Sequence, residues 1–447
     1  MAINGNEDVS GISVSRRVEM GSVEDGVDRV VLLTGMDQGE RDTASFALRE
    51  LCPASCAITY DVRDASLDSG DGLFDDAMDE ESADGEPPVC GIQVQRTVHA
   101  SDGRVITKRM PLRGCCLTCA IKSDVEREIS RMGRMAQRFG HHGGLTFIVA
   151  LPVGLEAFPI AVYCSECFAF AADLGDGESR PAARLAAMVT VTDEARLRDR
   201  LFGMDVWESR DPSTGALVAD DDRSVGVVAA SLLRESSHVL MLGRDSDNAG
   251  CGVLWLRELV GQVCGRSVPV TRLADVDAMS LIDDECRMDE VSGWLDPMTL
   301  GGEKDVATNP ECGGVPLRLE CARDGFESVV LRSVRPVHPG RLSDFLDRLE
   351  SPVHIRGHFM VPTKPFSVFA IDGGPGCVGV EELDDADGEA SKETVLCLVA
   401  PNGTEVSRKV CDLLLTNDEM ALPSVAWFDQ VDEFTLWSNA AVRGDGA

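Results

Sequence analysis

Three cysteines packed into five positions are the residues of this chain whose types and spacing could do chemistry. Cys115, Cys116 and Cys119 lie directly ahead of a stretch that we predict to be a helix ending near Phe139. Thiolates on a short loop can converge on one soft metal ion, and Zn²⁺ prefers sulfur-rich tetrahedral sites with this spacing. Three thiols leave the fourth coordination position open or require another ligand. We therefore predict a zinc site at these three residues, with buried free thiols as the alternative.

Two further arrangements of cysteines are possible. Cys116 and Cys119 at a helix N-terminus also have the placement of a redox dithiol, because the helix dipole lowers thiol pKa values. A second Cys-x-x-Cys pair, Cys164 and Cys167, could complete a four-cysteine zinc site. Cysteines three apart on an apolar helical face are more often part of the core.

The first apolar strand ends in a glycine and enters a helix, which is where a nucleotide-binding P-loop would lie. A working P-loop needs a second glycine, a lysine and a hydroxyl, but Glu40, Arg41 and Asp42 stand at those positions. Together with Asp37, the two acids place three carboxylates where a polyanion would bind, and Arg41 alone cannot offset them. We interpret this segment as a lost phosphate site. The residual candidates for nucleotide contact are Gly35, Arg41 and Thr43.

Length and charge bound the function. The 447 residues suffice for two or three domains. No secretory signal or membrane span is visible, so we expect a cytoplasmic protein with sixteen reduced or metal-bound cysteines. The net charge of −34 disfavours direct contact with nucleic acid or anionic lipid and favours basic protein partners.

Strands alternating with helices up to residue 295 predict a doubly wound, mostly parallel α/β sheet. A smaller α+β domain is expected to follow, because the later apolar segments alternate like an antiparallel sheet. The expected organisation is a flexible tail (1–27), the α/β domain (28–295) with an acidic disordered loop (64–88), a linker (296–315), the α+β domain (316–423) and an acidic tail (424–447).

Several segments resemble the CobW-type family of GTPase-like metallochaperones, and more closely its branch of ribosome hibernation factor-recruiting GTPases. Residues 30–35 match the first strand of the family, and residues 60–64 resemble the end of its second strand. The cysteine loop at 114–124 corresponds to the branch's "GCVSCTLRED" segment, with Cys116 and Cys119 on its paired cysteines.

The C-terminal part continues this resemblance. Residues 335–342 match an "RPFHPERL" motif, residues 353–359 a "VVRARGRIW" segment and residues 415–421 an "LLTDEELA" segment. Three residues of these motifs, Arg335, His338 and Arg356, are candidates for partner binding, with a structural role as the alternative. Pro339 can start a helix, so His338 could cap it.

The chain also departs from the family. Its cysteines run Cys-Cys-x-x-Cys where the family has Cys-x-Cys-Cys, so the ligand geometry cannot be carried over. Leu151 stands where an acidic residue is expected, and residues 243–246 lack the Asn and Lys of the guanine-reading "NKxD" motif. Because phosphoryl transfer depends on positioning and charge stabilisation, these losses predict no useful GTP hydrolysis.

The resemblance implies a degenerate P-loop GTPase-like domain followed by a CobW C-terminal-like domain. It also implies a zinc-linked adaptor that recruits a ribosome hibernation factor to the ribosome under zinc limitation. Two alternatives stay open. One is a nucleotide-driven zinc metallochaperone, and the other is a thiol redox switch at the Cys-x-x-Cys pair.

Overall fold

A central sheet of eight strands organises the first half of the protein. The structure is a computed structural model and describes residues 27–52, 54–64, 88–100, 103–113, 116–140, 144–173, 183–210, 217–243, 249–300, 317–321, 325–347, 352–383 and 393–428. The strands of this sheet are β1 (Asp28–Gly35), β2 (Ser55–Asp64), β3 (Pro88–His99), β4 (Val105–Arg113), β5 (Thr146–Ala150), β6 (Ala183–Asp193), β9 (His238–Leu242) and β10 (Val270–Arg272). A separate hairpin is formed by β7 (Val206–Arg210) and β8 (Leu217–Ser224).

The strand order is β10-β9-β6-β1-β5-β2-β3-β4. The first six strands in this order are parallel, and β3 and β4 extend the sheet as an antiparallel hairpin that leaves β4 at the edge. This confirms the predicted mostly parallel α/β sheet. The helices of this half are α1 (Gln38–Leu51), α2 (Leu117–Arg138), α3 (Phe158–Asp173), α4 (Leu197–Leu201), α5 (Val225–Glu235), α6 (Ala249–Cys264), α7 (Ala278–Asp283) and α8 (Met288–Leu295).

Both faces of this sheet are covered, which explains its continuous apolar strands. Alternate residues of β1 enter two different cores. Val30 and Leu32 pack against α2 and α3, whereas Val31 and Leu33 pack against α1 and α7. Every residue of β1 is buried, including Gly35, and the chain first becomes partly exposed at Met36.

The second sheet is antiparallel throughout, in the order β11-β12-β16-β13-β14-β15. Its strands are β11 (Leu317–Cys321), β12 (Phe326–Ser333), β13 (His354–Val361), β14 (Lys364–Gly374), β15 (Cys377–Leu383) and β16 (Thr394–Pro401). The accompanying helices are α9 (Pro339–Asp347), α10 (Val406–Cys411), α11 (Asn417–Met420) and α12 (Val425–Phe428). The predicted α+β second domain is therefore confirmed.

Contacts join the two sheets. Phe326 and Val399 of the second sheet lie in one apolar cluster with Leu197 and Val263 of the first half. The predicted N-terminal tail, acidic loop and most of the linker lie outside the described residues. Of the predicted C-terminal tail, residues 425–428 form α12, in which Trp427 is buried. Among the described helices, none combines the length and the apolar character that crossing a bilayer requires.

Candidate functional site

The connection between β1 and α1 is too short to wrap a phosphate. Only Met36 and Asp37 separate Gly35 from the first helical residue, Gln38. Asp37 caps the helix, since its Oδ1 accepts a hydrogen bond of 3.1 Å from the backbone N–H of Glu40. A phosphate at a helix N-terminus would use such free N–H groups. Here a carboxylate of the protein itself already accepts from one of them.

Arg41, at the lysine position of the motif, turns inward and is 1% exposed. Its Nη1 donates to the backbone oxygens of Tyr60 at 3.1 Å and Leu151 at 2.9 Å. Its Nη2 donates to Oδ1 of Asp61 at 2.8 Å and to Oδ1 of Asp42 at 2.7 Å. The guanidinium therefore joins α1 to the carboxyl ends of β2 and β5, and its charge is already matched.

The other two candidate nucleotide residues also have local uses. The Thr43 hydroxyl is exposed and donates to the backbone oxygen of Gly39 at 2.6 Å, which turns it back along its own helix. A Cβ at Gly35 would lie 3.0 Å from the backbone oxygen of Val191 on β6. A larger residue at position 35 would therefore have to push β6 away by a few tenths of an ångström.

Two further arginines, one in α4 and one at its N-cap, supply positive charge to the acidic residues at the start of α1. Arg200 holds the Glu40 carboxylate with both Nη atoms, at 2.6 and 2.8 Å. Arg196 donates to Oδ2 of Asp37 at 3.1 Å. Arg41 is therefore not the only cation that faces these acids. The basic run 196–200 was the available signal, but nothing in its spacing placed it beside α1.

A cleft of about 220 Å³ lies beside Arg41, between α1 and the strands β2 and β3. Asp42 and Asp61 both line it, together with Arg49, Thr97 and His99. The two carboxylates make the cleft a poor match for a phosphate.

The cysteine pair begins α2. Cys116 is the N-cap, and its Sγ accepts a hydrogen bond of 3.3 Å from the backbone N–H of Cys119. The Cys119 thiol first, and then this backbone N–H, stabilise the Cys116 thiolate and lower the pKa of Cys116; Lys122 adds a smaller effect. Both thiols are exposed. The third predicted ligand, Cys115, lies outside the described residues.

A buried charge network fixes α2 on the sheet just beyond this pair. The Tyr60 hydroxyl donates to Oδ2 of Asp124 at 2.9 Å, and Nη1 of Arg96 donates to the same oxygen at 2.7 Å. Nη1 of Arg96 also lies 3.2 Å from a carboxylate oxygen of Glu128. All four side chains are nearly buried. The network sets the position of the helix end that carries the thiols.

Within the described ranges, no group of three or more His, Cys, Asp and Glu residues lies close enough to hold a metal ion. Both cysteines of the second pair lie on α3. Cys164 is fully buried in the core between the sheet and α2, and Cys167 is partly exposed. A zinc ion on Cys116 and Cys119 would therefore draw further ligands from Cys115, from solvent or from a partner.

His338 has the geometry of a cap. Its Nδ1 accepts from the backbone N–H of Arg341 at 3.3 Å, at the start of α9. Its ring meets that of Trp427 edge-on, with centroids 5.7 Å apart. Arg341 in turn holds Glu419 at 2.7 and 2.8 Å and lowers the pKa of that carboxyl to about 2.

The two other residues of the C-terminal motifs are also held within the protein. Arg335 donates to the backbone oxygen of Leu415 at 3.1 Å and to Oδ1 of Asn417 at 2.7 Å. Arg356 is buried against the first domain, where Nη2 donates to the backbone oxygens of Trp294 and Leu295. Every one of the three candidates thus has a contact that supports the fold.

No protein-family model matches this chain, and no curated protein matches it. Among solved structures, it is similar to the zinc-bound YjiA GTPase from E. coli, at 12% identity and a TM-score of 0.33, over 87% of this chain and 99% of that chain. A zinc-bound triple mutant of the same GTPase matches at 11% identity, with the same TM-score and coverage. Likeness at this level assigns no role to any residue of the present protein.

Proposed function

We propose that this protein is a zinc-linked, CobW-like adaptor that does not hydrolyse GTP efficiently. The observation that carries the zinc part is the exposed pair of Cys116 and Cys119 at the start of α2. The thiol and the backbone N–H of Cys119 stabilise the Cys116 thiolate, so the pKa of Cys116 is lowered. Since the thiolate is the metal-binding form, this pair is ready to take a soft cation. Cys115 is the expected third ligand.

The buried Arg41 supports the absence of GTP hydrolysis. A nucleotide would have to displace the carboxylate cap at Asp37 and compete with the ion pairs of Arg41 and Glu40. Those contacts use the charges that a phosphate would need. The competing hypothesis of a nucleotide-driven zinc metallochaperone requires this segment to rearrange.

Calorimetry with GTP and Mg²⁺ separates these two functions. The adaptor predicts affinity no tighter than about millimolar, which corresponds to roughly −4 kcal/mol. Micromolar binding, or turnover above the uncatalysed rate, would establish the metallochaperone instead.

Zinc stoichiometry tests the metal site directly. We expect one tightly bound zinc per reduced wild-type chain and none in the Cys116→Ser, Cys119→Ser double variant. Cys167→Ser is the matched control, because this thiol is partly exposed on the adjacent helix α3 and is not expected to be a ligand. Equal binding by wild type and double variant, or no binding by either, would exclude the site.

The spacing of the two exposed cysteines at the start of α2 also favours a second candidate function, a thiol redox switch. In that reaction Cys116 and Cys119 lose two electrons and two protons to a disulfide such as oxidised glutathione, which is reduced to two thiols. Reversible oxidation at a mild potential, with no zinc protection of the pair from alkylation, would support the switch over the metal site.

The partner expected from the sequence resemblance is a ribosome hibernation factor. The net charge of −34 is compatible with a basic partner of this kind. Pull-down of the factor with the zinc-loaded and zinc-free protein tests the adaptor role. We expect capture of the factor to differ between the zinc-loaded and the zinc-free protein. If neither state captured the factor, the ribosomal part of the proposal would be removed and the zinc site would be unaffected.

A further inference from the structure

One face of β13 presents basic side chains to the first domain. His354, Arg356 and His358 alternate along the strand and are 2–3% exposed. Nε2 of His354 donates to the backbone oxygen of Leu201 at 2.6 Å, and Nδ1 of His358 is 3.1 Å from that of Pro297. These contacts make the strand the central element of the domain interface.

Arg356 uses only part of its donors. Nη2 donates hydrogen bonds to the backbone oxygens of Trp294 and Leu295 in α8, and Nε lies 3.5 Å from Oδ2 of Asp372. Nη1 is buried and has no hydrogen-bond acceptor in the part of the chain that the structure describes. Buried donors of this kind are normally met by an ordered water or an ion.

Positive charge exceeds negative charge around this arginine. Arg234, also nearly buried, pairs with the same carboxylate of Asp372, which is about half exposed. Burial first, and then Arg234, lower the pKa of Arg356, and the same two causes lower the pKa of His354 to about 3. His354 is therefore neutral, and the one carboxylate of Asp372 faces two guanidinium groups, those of Arg234 and Arg356.

A small cavity lies among these groups. Arg234, His354, Arg356 and Cys397 line it together with Gly265 and other residues near the end of α6. It is partly open and offers about 10 Å³ to the centre of a water-sized sphere, which is roughly the room that one water molecule needs. We propose that this cavity binds one monatomic anion, of the halide class, between Arg234 and Arg356, and so links the two domains.

The cavity calls for a hydrogen-bond acceptor and for a negative charge. A water molecule supplies the acceptor only, whereas a halide supplies both. It accepts the hydrogen bonds that Nη1 of Arg356 offers, and it supplies the missing negative charge. Polyatomic anions such as sulfate or acetate are too large for the space. The proposal therefore predicts selectivity by size as well as by charge.

The first test uses the full wild-type chain. Thermal unfolding is followed as chloride replaces gluconate at constant ionic strength and pH. We expect the midpoint to rise and then level off with chloride and with bromide, as for a ligand that binds the folded state. Sulfate stabilises folded proteins by exclusion from their surface, so its effect should not level off. A midpoint that does not distinguish chloride from gluconate would overturn the proposal.

Crystals grown in bromide would locate the ion directly. We expect an anomalous peak between Arg234 and Arg356. A water molecule at this position, without anomalous signal, would overturn the proposal. Arg356→Gln should abolish the halide-dependent shift, whereas the control Arg335→Gln, in the same domain but away from the cavity, should retain it. If Arg356→Gln does not fold, the bromide experiment on the wild type decides alone.

Discussion

At the scale of single residues, Arg41 shows how a motif position can keep its charge and change its use. Arginine presents several donors in a fixed plane, and here they reach two backbone oxygens and two carboxylates at once. A lysine has one terminal nitrogen and could not make the same hydrogen bonds to two backbone oxygens and two carboxylates. The residue is therefore suited to an internal contact between α1 and two strands.

Arg41→Lys restores the lysine of the P-loop motif but should not restore GTP binding, because α1 still begins at Gln38 and Asp37 still caps it. Loss of the charged hydrogen bonds, worth about 1.5–3 kcal/mol each, should lower the free energy of unfolding in urea. GTP titration and urea unfolding of the variant check both parts. Micromolar GTP binding by this variant would mean that the short connection is not what excludes nucleotide.

Glu419 predicts a loss of stability in acid. Its pKa of about 2 in the folded protein lies below the ordinary value of 4.5, chiefly because of hydrogen bonds from Arg341. The stabilisation is present above the ordinary value and is lost as the pH falls from there toward 2. Glu419→Gln should flatten this part of the stability profile, whereas Asp418→Asn, which removes the neighbouring charge, should not. Thermal midpoints across this pH range give the comparison.

At the scale of elements, the placement of α2 depends on charges buried beneath it. Asp124 receives hydrogen bonds from β2 and β3, through Tyr60 and Arg96 respectively. Buried ion pairs are costly to break from one side, because the remaining charge loses its partner. The network therefore orients the helix end that carries Cys116.

Asp124→Asn should lower the free energy of unfolding by about 3–5 kcal/mol, as is typical when one member of a buried pair is removed. The matched control is Asp289→Asn, since the pair of Asp289 with Arg287 is exposed and should contribute about 0–1 kcal/mol. Urea unfolding measures both. Similar losses in the two variants would show that burial of the network contributes little.

Elements with strong apolar patterns were predictable from sequence. The first apolar strand, which ends at Gly35, and the change from a mostly parallel to an antiparallel sheet lie where the pattern placed them. β14 and β15 were not predicted, because Pro365 and the glycines at 373 and 374 interrupt the apolar pattern and β15 is only partly buried. The partners of Arg41 and Glu40 were also beyond prediction, since they come from segments 20 to 160 positions away.

At the scale of the whole molecule, the two sheets share an interface that combines an apolar cluster with buried basic groups. Phe326 and Val399 supply the apolar part. His354 supplies a polar contact to the backbone of Leu201. Protonation of this histidine would place another charge beside Arg234, so the docked arrangement requires its neutral form.

His354 therefore predicts that stability falls as the pH drops below its ordinary pKa of 6.5. The folded-state pKa of about 3 is lower than that value, so the unfolded chain takes up the proton first. His354→Gln keeps a donor for Leu201 and should reduce this dependence between 6.5 and 3. His99→Gln, outside the interface, is the control. Urea unfolding at several pH values measures the slopes, and equal slopes in both variants would contradict the assignment.

The ion pairs around α1 also bear on how this protein could be controlled. A ligand shifts a conformational equilibrium only by the difference in its affinity for the two states. Asp37 caps the helix, and Arg41 and Arg200 are held by carboxylates, so these side chains already have counter-charges within the chain, whereas a GTPase receives such charges from its nucleotide. In the adaptor that we propose, nucleotide hydrolysis does not set the timing of action, which would come instead from the metal ion or the oxidant that reaches Cys116 and Cys119.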